Sequence, residues 1–225
     1  MRVCVGFIAA LLLFASAAQV VVAQQAAWLD GPLDPWNAPA MAVPRSPVFT
    51  SFAPTQCLLN ERPAAVPEES QVLMAGWKLL RAWPAQRRAD VTVVMATSDH
   101  DGMCRPTGFN AFVFAGGRFA GTIAPEPMGA RTDGTLARPP SFLPDGRLDA
   151  SFVRFAPSDP LCCPSRPAAR VLYRVEVTDA GPVLLAERPG AAGVGGPRLP
   201  ATGWGPAEVA GESCVATVDD ACLTD

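Results

Sequence analysis

A series of short apolar segments, divided by turn signals, constrains the fold of this chain more than any other feature. Residues 91–96 are β-branched and apolar, and apolar and polar side chains alternate along 148–152 and 171–177. Alternation with a period of two is typical of strands, and no long helical pattern separates these segments. The sequence therefore predicts a mainly β fold, with α+β as the alternative, built on an antiparallel sheet of six or seven strands. At most one short N-terminal helix is expected, beginning near Pro67, since proline and glutamates favour a first helical turn.

The clearest single element is a hairpin over residues 110–122. Two apolar segments flank Gly116 and Gly117, and both central positions of a two-residue hairpin turn favour glycine because they need positive φ. Phenylalanine at strand spacing is most often core. The alternative is that an interaction or ligand-binding face is formed by the hairpin together with a polar loop that follows it: Phe112, Phe114, Phe119, Arg131 and Asp133.

The first 23 residues predict an export signal. Arg2 precedes an apolar run that ends at Val22, and small residues make Ala23 or Ala18 a suitable cleavage position. An uncleaved anchor stays the alternative, because about 20 apolar residues are enough to span a bilayer. No cysteine follows the apolar run, as lipid attachment would require. We therefore expect a soluble, secreted or periplasmic protein with no stable membrane span after cleavage.

Export determines how the cysteines are interpreted. The chain has seven, and removal of the signal with Cys4 leaves six. An even number in an oxidising compartment predicts disulfides, formed by Cys57, Cys104, Cys162, Cys163, Cys214 and Cys222. Adjacent cysteines bond each other only through a strained eight-membered ring. The pair at 162–163 is therefore expected to bond Cys57 and Cys104, in either order, and the two C-terminal cysteines to bond each other.

Composition divides the rest of the chain into three parts. Residues 24–55 are rich in proline and alanine and predict an extended or disordered arm, which Trp28 and Trp36 could attach to the core. Residues 188–225 contain seven glycines and four prolines and predict a mobile tail. A single β-rich domain is expected over residues 56–187.

The charge balance of the chain and the absence of known catalytic and binding motifs disfavour several classes of function. Eighteen basic against 21 acidic residues give a net charge of −3, which disfavours nucleic-acid binding. A single histidine argues against a His-rich metal site. No nucleotide-binding glycine motif or serine-hydrolase elbow is present, so we expect no cofactor and no enzyme activity. Asp99–Cys104 is interpreted as a surface turn with Cys104 in a disulfide, against a catalytic His100 or a weak calcium loop.

The cysteine pair at 162–163 offers the second candidate chemistry. Thioredoxin-type redox sites use a C-x-x-C spacing, which this chain lacks. Two structural cysteines in a proline-rich turn are therefore the favoured interpretation. A thiol-dependent redox protein that uses Cys162 and Cys163 is the alternative.

Four motifs of the chain occur together in a known group of proteins: Asp101–Pro106, Phe112–Thr122, Arg131–Gly134 and Asp159–Ser165. They resemble the exported bacterial proteins of the LppP/LprE lipoprotein family over roughly residues 57–178, and the Cys-Cys-Pro-Ser block resembles a subgroup. The resemblance implies a cell-envelope location without an assigned reaction. The lipid-attachment cysteine of the lipoprotein members is missing here, so a lipid anchor is not expected. We predict a non-catalytic binding or structural domain with an unidentified envelope ligand or protein partner.

Overall fold

A computed structural model describes residues 26–48 and 54–189 of the chain. Within these residues it contains one α-helix, α1 (Pro67–Met74), and two short 3-10 helices, Ala27–Leu29 and Thr55–Asn60. The strands are β1 (Glu61–Arg62), β2 (Lys78–Leu80), β3 (Gln86–Arg88), β4 (Val91–Thr97), β5 (Asp99–His100), β6 (Pro106–Thr107), β7 (Asn110–Ala115), β8 (Arg118–Thr122), β9 (Ser141–Phe142), β10 (Leu148–Arg154), β11 (Arg166–Thr178) and β12 (Gly181–Glu187). The predicted mainly β, antiparallel fold with one short helix is confirmed. The predicted signal segment and nearly all of the predicted tail lie outside the described residues.

The described strands form two main sheets, where the sequence predicted a single one. The first has the order β1-β2-β4-β7-β8, with β3 also paired to β4. The second has the order β12-β11-β10-β9, and β5 pairs with β6 separately. Neighbouring strands are antiparallel throughout. The long connection between β8 and β9, residues 123–140, carries the chain from the first sheet to the second, and local strand patterns do not reveal such a crossing.

The predicted hairpin is present as β7 and β8. Gly116 and Gly117 occupy its turn with φ angles of 55° and 75°, the positive values that a two-residue hairpin turn requires. The register pairs Ala115 with Arg118 across that turn. The local sequence signal therefore placed this element correctly.

The first sheet is buried on both of its faces. Val93 and Met95 of β4 belong to the core cluster shared with the second sheet, whereas Val94 and Ala96 pack in the cluster that includes Val72 of α1. Successive side chains of a strand point to opposite faces, so a strand covered on both sides is apolar at every position. The apolar run of residues 93–96 within β4 follows from this arrangement.

The hairpin phenylalanines lie in the core beneath α1. Phe112 and Phe114 are fully buried and Phe119 nearly so, and Trp77 packs edge-on against Phe112 with ring centroids 4.8 Å apart. A buried ring cannot present a surface to a partner. The interaction face predicted at these three positions is corrected: helix α1 covers the face of the sheet on which they lie.

The described part of the N-terminal arm, residues 26–48, packs on the domain. The ring of Trp28 stands edge-on to Phe152 with centroids 5.0 Å apart, and Leu29 is buried in the core shared by the two sheets. Trp36 donates a hydrogen bond from Nε1 to the carbonyl oxygen of Thr122 at the end of β8. The arm therefore contributes side chains to the core.

Asn37 joins the arm to one strand of each sheet. Its Nδ2 donates to the carbonyl oxygens of Thr122 in β8 and Leu184 in β12, both at 3.1 Å, and its Oδ1 accepts from the Thr122 N–H at 2.9 Å. The amide thus satisfies three backbone groups in a buried place, as buried polar groups require. A Cβ at Gly121 would lie 2.3 Å from Cγ of Asn37, so only glycine leaves room for this bridge.

Candidate functional site

A cleft with a volume of about 920 Å³ opens at one end of the second sheet. Three segments line it: Ala26–Trp28 of the arm, the Pro125–Gly134 part of the long connection, and residues of the Phe155–Leu161 loop after β10. Ligand-binding clefts in proteins commonly have volumes of roughly 300–1,000 Å³. The opening is therefore large enough for a small organic molecule.

The lining of the cleft is mainly apolar. It includes Trp28, Met128, Phe155 and Leu161, together with prolines from both loops. The side chain of Leu161 is 66% exposed at the rim, although large apolar side chains are usually covered. Apolar walls with few polar groups are typical of sites that bind small molecules.

The structure brings the predicted polar loop residues Arg131 and Asp133 into the cleft wall, but with different environments. The Asp133 side chain is only 6% exposed. It accepts hydrogen bonds from Arg154 Nε at 2.9 Å and from the N–H groups of Phe155 and Ala26 at 2.7 and 3.1 Å. Its lone pairs are occupied by the protein, so Asp133 builds the wall.

Arg154 is the buried centre of an ion network behind this wall, whose member Asp30 is 45% exposed. Its guanidinium, in a side chain that is 4% exposed, bonds Asp133 and both carboxylate oxygens of Asp30. Asp30 also accepts from Arg166 at 2.9 Å, and Arg188 donates to the carbonyl oxygens of Leu29 and Gly31. The network fastens the arm, β10 and the loop before β9 to one another.

The network shifts the pKa values of its members in the stabilising direction. Hydrogen bonds from Arg154, and then from Arg166, lower the pKa of Asp30 to about 2 against the opposing effect of burial. Burial alone would raise the pKa of Asp133, but the hydrogen bonds from Arg154, Phe155 and Ala26 bring it below the ordinary value. Both carboxylates are therefore ionised at neutral pH and hold the guanidinium in place.

Arg131 differs from Asp133 and Asp159 of the cleft in having no protein partner for its side chain. It is exposed, and it makes no hydrogen bond or ion pair with any residue in the described part of the chain. Its backbone has φ of 60°, in the left-handed region that residues other than glycine seldom adopt. Such a conformation persists only where the surrounding structure enforces it, and it is often found at binding sites.

The disulfide arrangement differs from the sequence prediction. Cys57 bonds Cys104, 47 positions later in the chain, so neither is available to Cys162 or Cys163. The predicted pairing of 57 and 104 with the 162–163 pair is therefore wrong. Cys104 reaches Cys57 because the carbonyl oxygen of Asp101 accepts the Cys104 N–H in a tight turn, with Cys104 at φ 61°. The predicted pairing of Cys214 with Cys222 lies outside the described residues.

The Asp99–Cys104 cluster contains the predicted turn, between β5 and β6 with Met103 exposed and Cys104 in a disulfide, but its first two residues are buried. His100 is fully buried in strand β5, with Nδ1 3.9 Å from Oε1 of Glu61. The carboxylate of Asp101 accepts from the side chain of Arg105 at 2.5 Å and from two backbone N–H groups. Cys104 is bonded to Cys57, so no thiol nucleophile stands beside the histidine.

Sequence reasoning missed Arg154 and Asn37, the two residues that organise the cleft and the arm. Arg154 carried a usable signal: in β10 the inward-facing positions Leu148, Ala150 and Phe152 continue with a period of two to 154. An arginine in an inward register needs a buried counter-charge. Asn37 carried no local signal, because its partners lie 85 and 147 positions away.

The fold and the cleft define a disulfide-bonded, antiparallel β domain with a ligand-sized opening. Residues 85–177 match the model of the LppP/LprE lipoprotein family, from β3 into β11. The predicted resemblance is confirmed over that range, and it indicates an extracytoplasmic envelope protein. Neither a curated protein nor a solved structure matches the chain. Among residues 26–48 and 54–189, no helix has the length and apolar character needed to cross a bilayer.

Proposed function

We propose that this protein is an exported, non-catalytic binding protein of the cell envelope that takes up an anionic amphiphile. The apolar chain of the ligand lies in the cleft and its negatively charged head faces Arg131. The observation that carries the proposal is the cleft of about 920 Å³ with apolar walls and an unpaired cation at its rim. The alternative, thiol redox chemistry at Cys162 and Cys163, uses no part of this arrangement.

The apolar walls of the cleft suit the apolar ligands that are present in the cell envelope. Apolar surface that lines an open cleft gains about 25 cal/mol per Å² when a ligand removes it from water. Trp28 of the arm, and Phe155 and Leu161 of the loop after β10, provide rigid or branched apolar surface in the lining. An acyl chain is the extended apolar group that an extracytoplasmic envelope protein meets most often, and it fits a wall of this chemistry.

The negative charge that we assign to the head group of the ligand follows from the charged side chains at the rim of the cleft. Asp133 is neutralised by Arg154 behind the wall, whereas Arg131 stands in solvent without a partner. Glu126 also lines the cleft and makes no ion pair with any described residue. Asp159 is a further carboxylate of the lining, and it accepts only from backbone N–H groups and Ser165. A head group with a single negative charge, such as a phosphodiester, therefore suits Arg131 better than one with two, which Glu126 and Asp159 would repel.

The test uses the full mature chain and a lysophosphatidylglycerol, which has one acyl chain and one negative charge, below its micelle concentration. Binding is measured by tryptophan fluorescence and by native mass spectrometry. Leu161→Asp puts a charge on the apolar wall at an exposed position, and Leu59→Asp is the matched control, since Leu59 is 75% exposed and lies outside the cleft. We expect at least about tenfold weaker binding for Leu161→Asp and no change for the control.

A second pair of variants tests the head group. Arg131→Gln removes the rim cation, and Arg45→Gln removes another exposed arginine that does not line the cleft. A charge-assisted hydrogen bond contributes about 1.5–3 kcal/mol, so Kd should rise roughly 10- to 100-fold for Arg131→Gln alone. Equal Kd values for Leu161→Asp and Leu59→Asp would refute binding in the cleft. Equal values for the two arginine variants would refute the anionic head group.

A further inference from the structure

Two exposed cysteines lie next to each other on the loop that closes one side of the cleft. Cys162 and Cys163 follow Leu161 of the cleft wall, and their Sγ atoms are 2.6 Å apart. The other two cysteines of the described chain, Cys57 and Cys104, bond each other. In an oxidising compartment, two exposed thiols at this distance are each other's nearest partners for disulfide formation.

The loop around this pair is fastened on both sides. Oδ2 of Asp159 accepts hydrogen bonds from the N–H of Ala156 at 2.6 Å, and from N–H and Oγ of Ser165 at 2.8 and 3.0 Å. Inside this clamp the N–H of Cys163 donates to the carbonyl oxygen of Pro160 at 3.0 Å. The ends of the loop are thus held together independently of the sulfur atoms, and the two thiols are kept adjacent at the surface.

We propose that Cys162 and Cys163 form a vicinal disulfide that exchanges with thiols and disulfides in solution. On oxidation one Sγ–Sγ bond forms between the cysteines, and the S–S bond of an extracytoplasmic dithiol-disulfide oxidoreductase or a small-molecule disulfide breaks. The two electrons and, through solvent, the two thiol protons of the cysteines end on its two sulfur atoms, which become thiols. The route passes through a mixed disulfide with either cysteine. The inference concerns the covalent state of the loop and does not depend on the ligand of the cleft.

We expect thiol–disulfide exchange because the ring closed by the two cysteines is small and their sulfur atoms are exposed. Adjacent cysteines close an eight-membered ring, which is strained, and both lie at the surface. Strained and exposed disulfides are more oxidising and are the labile ones in proteins. Cys57, by contrast, is fully buried in its bond to Cys104 and gives an internal reference of ordinary stability.

The test is differential alkylation of the full chain after natural export, read by peptide mass spectrometry. Iodoacetamide is applied before reduction and N-ethylmaleimide after exposure to graded dithiothreitol, with a digest that leaves positions 162 and 163 on one peptide. We expect no iodoacetamide on either cysteine and a peptide lighter than the dithiol form by two hydrogen atoms. Half-reduction of this pair should need at least about tenfold less dithiothreitol than that of Cys57–Cys104.

Three results would overturn the inference. Iodoacetamide on Cys162 and Cys163 before reduction would show that they are thiols, and cross-linked peptides with Cys214 or Cys222 would show another pairing. Reduction of both disulfides at the same dithiothreitol concentration would show that the vicinal bond does not exchange selectively. The variant Cys162→Ser/Cys163→Ser is the control, because it should leave the reduction curve of Cys57–Cys104 unchanged.

Discussion

Replacement of Asp133 by alanine tests whether the ion network behind the cleft holds the arm to the domain. The variant leaves the buried guanidinium of Arg154 with Asp30 as its only carboxylate partner, and it removes the acceptor for the N–H groups of Ala26 and Phe155. Breaking a buried ion pair costs about 3–5 kcal/mol. Since Asp30 still neutralises Arg154, we expect the lower end, about 3 kcal/mol of unfolding free energy.

The assay is urea denaturation at pH 7, followed by the fluorescence of tryptophans that include Trp28 and Trp36 of the arm. A loss of about 3 kcal/mol corresponds to a decrease in Tm of roughly 6–12 °C for a domain of this size. Asp145→Ala is the control, because Asp145 pairs with Arg147 at the surface, where solvent screening leaves an ion pair with little effect on stability. The reasoning is refuted if the two variants lose the same free energy.

Three further predictions concern Asn37 of the arm, the pH dependence of the ion network, and the buried Tyr173. Asn37→Ala should lower the unfolding free energy in urea by about 2–3 kcal/mol, because the Thr122 N–H and the Leu184 carbonyl oxygen lose the hydrogen bonds of the amide, while Trp36 still donates to the Thr122 carbonyl oxygen. An unchanged urea midpoint would contradict this. Since the pKa of Asp30 is lowered to about 2 and that of Asp133 is lowered too, their contribution is complete above about pH 5 and is lost as pH falls from there through 2. The urea midpoint of wild type should fall in this window more than that of Asp30→Asn. Burial raises the pKa of Tyr173, the single tyrosine, well above 10, so it stays neutral when folded and stability decreases as pH rises above 10. Tyrosinate absorbance should then appear only with unfolding, and its appearance in folded protein at pH 10 would contradict the burial argument.

Local features of the fold were predictable from the sequence. Gly116 and Gly117 indicated a hairpin because their backbone requirement is a property of two residues, and Pro67 with Glu68 and Glu69 indicated the start of α1 for a similar reason. The alternation predicted for β11 also holds at Val171 and Tyr173, which are buried. It fails at Val177, which is 74% exposed, because the strand extends beyond the core at that end.

Features that depend on distant parts of the chain were not predictable. The bond of Cys57 to Cys104 depends on where two loops meet, and the cysteine spacing left that question open. The phenylalanines of β7 could be assigned to a face only once α1 was known to cover that face. Sequence reasoning selected Arg131 and Asp133 as binding residues, but it could not distinguish the rim cation from the wall carboxylate, because Arg154 lies 21 positions beyond Asp133.

The position at which the arm joins the domain determines how far the cleft could lie from a bilayer if the apolar N-terminal segment were retained. Ala26 lies in the wall of the cleft, only three positions after the expected cleavage site at Ala23. Three extended residues cover at most about 10 Å. A retained apolar segment would tether the mouth of the cleft within that distance of the membrane, within reach of lipids that leave it. Cleavage after Ala23 would instead make Gln24 the first residue, so that the new α-amino group, a positive charge, would belong to a residue two positions before Ala26 of the cleft wall.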